Sequence, residues 1–436
     1  MSEAHRAKRA SPPHALNLNV RGLRVSATLA INERAKAMLE SGQPVFKLGL
    51  GQSPFPVPEV VVKRLQEHAH EKSYLPVRGL RALRHAVAGY HRLRHGVECS
   101  LHDVLIGPGS KELMFLLQLV YYGDLVIPTP SWVSYAPQAL IVGRPIHWVP
   151  TSWANDLRLT AEDLDHVCRS DPTRPRLVIL NYPSNPSGTT YTVTELKALA
   201  RVARTYNVVL LSDEIYGELH HRGQHVSVAR FYPEGTIISS GLSKWCGAGG
   251  WRLGTFTFPH GFGWLLDAMA VVASETFTST SAPIQYAAVR AFEGGVEIEQ
   301  YLHQARRILH RLGRYACERL TDAGAVVPAP KGAFYVFPDL SPLRESLAQR
   351  GIKTSRQLCE TLLEQTGVAV LPGSAFGRPR DELSFRAAYV DFDGARALVA
   401  AQHVDGQSAL SETFLRDNCH NVVEAIDRIA AWLKKP

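Results

Sequence analysis

Hydrophobic residues between about residues 100 and 260 form short continuous runs that alternate with amphipathic segments. The runs are DVLIG, DLVIP, PIHWV, RLVILN, NVVLLSDE and GTIISS, and the clearest amphipathic segments are SKELMFLLQLVYY and TELKALARVARTY. Strands without polar alternation are buried on both faces, which requires helices on both sides of a mostly parallel sheet. This region therefore predicts a doubly covered α/β domain.

The segments on either side of this region have a different pattern. On the N-terminal side, SATLAINERAKAMLESG predicts a helix that ends at Gly42, and VFKLGLG predicts a short strand. The last hundred residues predict the helices QARRILHRLGRYACERL, TSRQLCETLLEQTG and NVVEAIDRIAAWLKK around the strands KGAFYVFP and VAVLPG. We predict a flexible tail over residues 1–19, a large domain over residues 50–302 and a small domain built from residues 20–49 and 303–436.

Composition narrows the class of protein. With 436 residues, of which 45% are hydrophobic and 20% charged, the chain can bury a large core. The net charge of +8 comes from scattered basic residues, which favours small anions such as phosphates and carboxylates over nucleic acid. Six dispersed cysteines without a C-x-x-C pair are typical of reduced thiols in the cytoplasm. No apolar stretch is long enough to predict a membrane span.

The most informative segment is GLSKWCGAGGWRLG, which covers residues 241–254. Lys244 closely follows the strand TIISS, and the small residues around it allow a bulky group to approach the backbone. Arg252 supplies a planar guanidinium suited to a phosphate. A lysine is nucleophilic only when it is deprotonated, which desolvation and nearby cations favour. The alternative for Lys244 alone is a surface lysine in a flexible glycine loop.

Other polar and aromatic residues follow further predicted strands. NYPSNPSG contains Asn185, SDEIYGEL contains Asp213 and Tyr216, and PTPSWVSY contains Trp132. IGPGSKELMF predicts a helix that begins near Ser110, whose first N–H groups can bind an anion. Each feature also has a purely structural explanation, such as a helix cap, a core aromatic or a turn. Their combination at the carboxyl ends of strands predicts a site for a phosphate-bearing aromatic ligand.

Together these segments resemble the class I/II aminotransferases of pyridoxal phosphate fold type I, of which aspartate aminotransferase is an example. The resemblance runs from about residue 26 to about residue 398, and GLSKWCGAGGWRLG fits the family's lysine-attachment signature. YLPVRGLRALR, NYPSNPSG, SDEIY, KGAFYVF and PGSAFG are further family segments in the expected order. The resemblance implies a mostly parallel seven-stranded sheet covered by helices, with a smaller α/β domain. It also implies pyridoxal 5'-phosphate as cofactor and ping-pong transfer of an amino group from an amino acid to an α-keto acid.

The resemblance also assigns catalytic roles. Lys244 would hold the cofactor as a Schiff base and shuttle a proton at the substrate Cα. Asp213 would pair with the pyridine nitrogen and keep it protonated. Tyr216 and Asn185 would hydrogen-bond the phenolic oxygen, and Trp132 would stack on the ring. Lys244, Asp213 and Tyr216 are therefore the expected catalytic residues.

By the same resemblance, the cofactor phosphate would contact the backbone amides of Ser110 and Lys111, with Arg252 and Ser243. Tyr74 would reach the phosphate of the neighbouring subunit, which implies a homodimer with shared active sites.

Substrate binding needs an arginine for the α-carboxylate, and FRAAY places Arg386 at the matching position. Arg378 lies in a proline-containing loop and is expected to be solvated. Gly51 matches the glycine whose backbone lines the substrate side, together with Trp132 and Asn185.

Donor specificity is predicted from two positions. In relatives specific for dicarboxylates, basic residues bind the second carboxylate. The alignment places one of these positions at Leu119 and the other, which the partner subunit contributes, near Glu275 and Thr276. None of these residues is basic. The sequence therefore predicts a preferred donor other than aspartate.

Alternatives remain open at this stage. The same fold and cofactor serve β- and γ-eliminating lyases and cyclising synthases, and a sensor module without catalysis is a further alternative.

His91 and His95 in HRLRH have a spacing that could hold a metal, but the flanking arginines and the lack of a nearby third ligand favour an exposed helix face. No metal site is expected. An insertion around residues 402–418 is predicted to be a surface loop rather than the edge of a lid.

Overall fold

The computed structural model describes residues 17–20, 27–406 and 408–435. Within these ranges the helices are α1 Ala27–Glu40, α2 Glu59–Glu67, α3 Arg81–His95, α4 Ser110–Val120, α5 Tyr135–Ile141, α6 Ala161–Arg169, α7 Val193–Thr205, α8 Gly263–Thr276, α9 Ala282–Glu293, α10 Val296–Thr321, α11 Arg344–Gln349, α12 Ser355–Thr366, α13 Gly394–Gln402, α14 Glu412–Asn418 and α15 His420–Leu433. None of these helices has both the length and the apolar surface needed to cross a bilayer.

The strands form one large sheet and two small ones. They are β1 Phe46–Lys47, β2 Val104–Gly107, β3 Asp124–Thr129, β4 Ile146–Pro150, β5 Arg176–Asn181, β6 Val209–Asp213, β7 Thr236–Gly241, β8 Gly254–Thr257, β9 Tyr335–Val336, β10 Val368–Ala369, β11 Leu371–Pro372 and β12 Phe385–Ala388. The large sheet has seven strands in the order β2-β8-β7-β6-β5-β3-β4. Strands β3 to β7 run parallel, and β8 is antiparallel to both of its neighbours. The predicted mostly parallel seven-stranded sheet is confirmed.

Helices cover both faces of the large sheet. Leu125 and Ile127 of β3 belong to a core cluster with α4 and α8. Val126, between them, belongs to a second cluster with Leu164 of α6 and Leu196 of α7. Since successive side chains of a strand point to opposite faces, an apolar run without alternation is buried on both sides.

Local signals fix several helix ends. Thr192 accepts a hydrogen bond from the backbone N–H of Glu195 in a capping box at the start of α7. At the other end of a helix, Gly367 adopts a left-handed conformation with φ 74° and terminates α12.

The smaller sheets lie outside the central region of the chain. β1 pairs in parallel with β10, and β12 lies between β11 and β9 in an antiparallel sheet. The predicted domain boundary between residues 302 and 303 falls inside α10, a single continuous helix. Most of the predicted tail, residues 1–16, lies outside the described residues, and residues 17–20 form a turn. The division into domains stays a prediction.

The prediction of an exposed face at HRLRH is wrong. His91 and His95 are 1% and 8% exposed, because this side of α3 packs towards α9 and the residues that follow β6. Burial lowers the pKa of His91 to about 3 and that of His95 to about 4, so both imidazoles are neutral at physiological pH.

The expectation of a solvated Arg378 is also wrong. Its guanidinium lies 2.6 Å from the Glu382 carboxylate and donates to the Thr151 carbonyl at 2.9 Å. The loop folds back over the ends of β3 and β4. The Arg378 guanidinium therefore binds groups of the protein rather than solvent.

The insertion around residues 402–418 is more ordered than a plain surface loop. It contains α14, whose Phe414 and Leu415 are buried. Arg307 of α10 donates to the carbonyls of Val404 and Ser408, which holds the preceding loop against that helix.

Candidate active site

A cavity of about 520 Å³ lies at the carboxyl ends of β5 and β6 and beside the segment that follows β7. Its lining consists of Ser110, Lys111, Trp132, Asn181, Asn185, Asp213, Ile215, Tyr216, Ser243, Lys244 and Arg252. This set contains every cofactor-binding residue predicted from the sequence except Tyr74. The parallel strands therefore bring residues that are distant in sequence to one edge of the sheet, as expected.

Lys244 occupies the loop between β7 and β8. Its Nζ donates to the carbonyl of Gly51 at 2.6 Å and lies 5.6 Å from the centre of the Tyr216 ring. Burial, together with the nearby Arg386 charge, lowers the pKa of this amine to about 8, although Asp213 opposes the shift. An amine with this pKa supplies a useful neutral fraction near physiological pH, as a nucleophile requires.

Asp213 is the last residue of β6 and is buried. Burial raises the pKa of its carboxyl group to about 6, even though a hydrogen bond from the Tyr135 hydroxyl to Oδ2, at 2.5 Å, favours the charged form. A carboxylate in this setting is stabilised by a cationic partner in the cavity, such as a protonated ring nitrogen.

One end of the cavity is suited to a phosphate. α4 begins at Ser110 with no side chain capping its first turn, so backbone N–H donors remain for a ligand. Close packing holds this turn in place, because a Cβ at Gly254 would lie 2.1 Å from the Ser110 nitrogen. A Cβ at Gly109, which has φ 93°, would lie 2.3 Å from the Arg252 guanidinium. Glycine is therefore required at both positions, and it brings Arg252 beside the start of the helix.

Trp132 and Lys111 form a neighbouring part of the lining. The Trp132 ring meets Tyr135 edge-on, with ring centres 5.3 Å apart, and this contact fixes a flat surface in the cavity. Lys111 Nζ lies 5.0 Å from the centre of the same indole ring. Burial and the nearby Arg252 lower the pKa of Lys111. The amine of its side chain therefore belongs to the cavity, in addition to the backbone amide that the resemblance assigned to the phosphate.

Arg386 lies on β12 of the three-stranded sheet, next to residues that line the cavity. It is buried, donates to Asn185 Oδ1 at 3.0 Å, and is hydrogen-bonded to the carbonyl of Gly49. Its Nε has no hydrogen-bond partner among the described residues. A buried guanidinium with an unsatisfied donor is well suited to a carboxylate ligand, which accepts such bonds in pairs.

Three neighbouring residues were missed by the sequence analysis. Tyr135 bonds Asp213, the Tyr335 hydroxyl lies 2.7 Å from that of Tyr216, and Asn181 donates to the Asp213 carbonyl. Tyr335 lies in KGAFYVF and Tyr135 in PTPSWVSY, so both segments had been identified but not these roles. A Cβ at Gly51 would lie 2.0 Å from the Tyr335 hydroxyl, which explains the need for glycine there.

Other predicted positions lie outside the cavity. Tyr74 is 90% exposed, and Leu119 and Glu275 are also exposed rather than part of the lining. The part of the donor prediction that rests on Leu119 is therefore weakened, because Leu119 is exposed outside the lining whereas Lys111 belongs to it.

These features fit pyridoxal phosphate. The cavity offers an amine, a carboxylate, an aromatic surface and a phosphate-binding helix start, which match the aldehyde, ring nitrogen, ring and phosphate of that cofactor.

Comparisons with known proteins agree with this description. Residues 43–401 match the family model described as aminotransferase class I and II. An aspartate aminotransferase of Geobacillus stearothermophilus is 35% identical over 83% of this chain and 91% of its own length. An asparagine–oxo-acid transaminase of Streptococcus mutans is 31% identical over 84% of this chain and 93% of its own length. The structure of an aspartate aminotransferase from Thermus thermophilus with maleate superposes with a TM-score of 0.81 at 28% identity, covering 96% of this chain and 100% of the other.

Proposed function

The chain belongs to the aminotransferase class I and II family, a family of pyridoxal phosphate enzymes, and we propose that the cavity around Lys244 is its active site. The cofactor supplies an electron sink for the charge that develops at the substrate Cα. The observation that carries this proposal is a buried amine with a lowered pKa in the same cavity as a buried carboxylate and an uncapped helix start. The reaction is transfer of an amino group between an amino acid and an α-keto acid.

Each residue then has a distinct task. Lys244 would hold the cofactor through Nζ and, as a free amine, would move a proton between the substrate Cα and the C4′ atom of the cofactor. Asp213 holds the ring nitrogen in its protonated form, and Tyr135 orients that carboxylate. Tyr216 and Asn185 hydrogen-bond the phenolic oxygen. These tasks are supported by the shared cavity.

Binding is divided between the two ends of the site. Ser110, Ser243 and Arg252 would hold the phosphate, and the Trp132 ring would stack on the cofactor ring. The guanidinium of Arg386 binds the substrate α-carboxylate, which its unsatisfied Nε supports.

We also propose that acidic amino acids are among the donors. Lys111 provides a cation that a second carboxylate can approach. Relatives carry the names aspartate aminotransferase and asparagine–oxo-acid transaminase, and the Thermus structure contains maleate, a dicarboxylate. The Lys111→Met variant should lose about 10-fold or more of its kcat/KM for aspartate relative to alanine, because a hydrogen bond to a charged group contributes about 1.5–3 kcal/mol. An unchanged ratio would exclude this role for Lys111.

A homodimer completes the proposed site. The exposed Tyr74 is then the residue that reaches the phosphate in the partner subunit. Light scattering of the purified protein, together with the cofactor affinity of Tyr74→Phe, tests this arrangement. The six free cysteines support the proposed cytoplasmic location.

A half-reaction distinguishes transamination from elimination on the same fold. Holoenzyme mixed with an amino acid but no keto acid should convert its cofactor to the pyridoxamine form once per site and then stop. Continued release of ammonia would instead show a lyase. The Lys244→Ala variant should give neither result, whereas Lys353→Ala, which changes an exposed lysine, should behave like the wild type.

A further inference from the structure

Behind the proposed active site, two histidines and a glutamate from distant parts of the sequence meet. They are His95 at the end of α3, Glu214 directly after β6 and His225 in the loop that follows. One ligand atom from each lies within 4.8 Å of the other two. His225 Nε2 is 2.8 Å from Glu214 Oε2, and the His95 and His225 ring centres are 5.4 Å apart.

The imidazoles in this group have unsatisfied nitrogens. Within the part of the chain that the structure describes, Nδ1 of His95, Nδ1 of His225 and both ring nitrogens of the neighbouring His91 are buried without a hydrogen-bond partner. Buried polar atoms nearly always have a partner in folded proteins, so these nitrogens are available to a bound ligand or to water. His91 lies one turn before His95, with ring centres 5.6 Å apart.

The glutamate is oriented as a metal ligand would need. Ser212 and Ser227 both donate to Glu214 Oε1, each at 2.6 Å, which leaves Oε2 on the side of His225. Hydroxyl donors to one carboxylate oxygen are typical of the outer shell that aims a ligating carboxylate at its metal. None of these side chains lines the proposed active-site cavity.

We propose that His95, Glu214 and His225 bind a divalent transition metal ion, with Zn²⁺ the best match to their chemistry. Two imidazoles and one carboxylate form a common three-ligand zinc set, and a water molecule or His91 completes the tetrahedron. Zinc–nitrogen distances of about 2.0 Å imply ligand atoms about 3.3 Å apart. The corresponding atoms lie within 4.8 Å of one another, so binding would require each pair to approach by at most about 1.5 Å. Residues 222–224, shortly before His225, are exposed, so the loop that carries this ligand borders solvent.

The test is direct metal analysis of the full-length holoenzyme. After treatment with a chelator, the protein is dialysed against Zn²⁺ and its metal content is measured. We expect one ion per chain. Co²⁺ substituted for zinc should give the visible d–d bands of a tetrahedral site, at longer wavelength than the cofactor absorption. This measurement on the unmutated protein needs no variant to fold.

Variants then locate the ion. His95→Asn and Glu214→Gln should abolish stoichiometric binding, and Ser227→Ala should weaken it about 10-fold, as loss of an outer-shell partner does. His260→Asn, at a histidine whose side chain is 95% exposed, should bind like the wild type.

Zinc retained by His95→Asn and Glu214→Gln would place the ion elsewhere, for example on the cofactor, and would overturn the proposal. So would failure of the wild-type protein to bind zinc or cobalt. Lys244→Ala should still bind the ion, so this outcome is separate from that of the proposed reaction.

Discussion

Asp213 and Glu214 are consecutive, both are buried, and yet their surroundings differ completely. Asp213 belongs to an open cavity, and burial raises the pKa of its carboxyl group to about 6 in spite of the Tyr135 hydrogen bond. Burial alone would also raise the pKa of Glu214, but the charge and hydrogen bond of His225, with the donors around them, lower it to about 2. Successive residues at the end of a strand therefore face two different regions.

The difference between these regions shows that two equally buried carboxylates can differ in whether the protein itself neutralises their charge. The side-chain donors to the buried Asp213 carboxylate are the neutral hydroxyls of Tyr135 and Ser239, and this carboxylate is matched to a cation that arrives with a ligand. The Glu214 carboxylate accepts bonds from Ser212, Ser227 and His225 within the protein. We therefore expect mutation of the first carboxylate to affect the reaction and mutation of the second to affect stability.

The largest effect is expected for Asp213→Asn. An amide cannot keep the ring nitrogen protonated, so kcat should fall by about 10²- to 10⁴-fold, the range associated with loss of a correctly placed proton. Steady-state kinetics with saturating cofactor measure this change. Folding of the variant, followed by circular dichroism, should be preserved. A kcat within twofold of the wild type would remove Asp213 from the mechanism.

Glu214→Gln should have the opposite profile. Loss of the charged member of a buried pair costs about 3–5 kcal/mol of unfolding free energy, because the remaining polar groups lose their partner. Urea denaturation of the chelator-treated protein checks the size of the effect. The matched comparison is Glu293→Gln, a change at the end of α9 that removes no such hydrogen bonds among the described residues. Equal stability of the Glu214 and Glu293 variants would show that the buried Glu214 carboxylate does not stabilise the fold.

The pH dependence of the apoprotein provides a third test, through Lys244→Met. The pKa of Lys244 is lowered from 10.5 to about 8, so the folded state disfavours the charged amine. The resulting penalty is fully present below pH 8 and disappears as the pH rises through 10.5, since the unfolded chain holds the proton longer. Lys244→Met should therefore stabilise the apoprotein by roughly 3 kcal/mol at pH 7, with little gain above pH 10.5. A gain that does not change with pH would indicate better packing instead.

A smaller effect is expected for Tyr135→Phe. This change removes one hydrogen bond to a charged group, which contributes about 1.5–3 kcal/mol, so kcat should fall by about 10-fold or somewhat more. The cofactor affinity should weaken in parallel, because Tyr135 acts on the ring only by positioning Asp213. If KM alone changed, Tyr135 would instead contact the substrate.

Much of the fold could be predicted because local patterns and global topology agree. Continuous apolar runs such as RLVILN are buried on both faces, and this correctly predicted a covered parallel sheet. The cavity was predictable for the same reason, since residues directly after parallel strands meet at one edge. What sequence alone could not show was the neighbourhood of each side chain. The hydroxyl of Tyr335 reaches Tyr216 from a position 119 residues away.

The errors have a common physical origin. His91 and His95 were predicted to be exposed because arginines flank them, but those arginines extend to solvent and to acidic partners while the imidazoles face inwards. Arg378 was expected in solvent, although long-range contacts with the strand ends near Thr151 bury its guanidinium. Both depend on contacts between residues far apart in sequence, which neither periodicity nor spacing reveals.

Reduction of the holoenzyme with borohydride tests the central claim most directly, because it converts a carbon–nitrogen double bond between lysine and cofactor into a stable single bond. Mass spectrometry of the digested protein should then find the cofactor mass on the peptide that contains Lys244 and on no other lysine. Modification of Lys111 instead, or no modification in cofactor-saturated protein, would contradict the account.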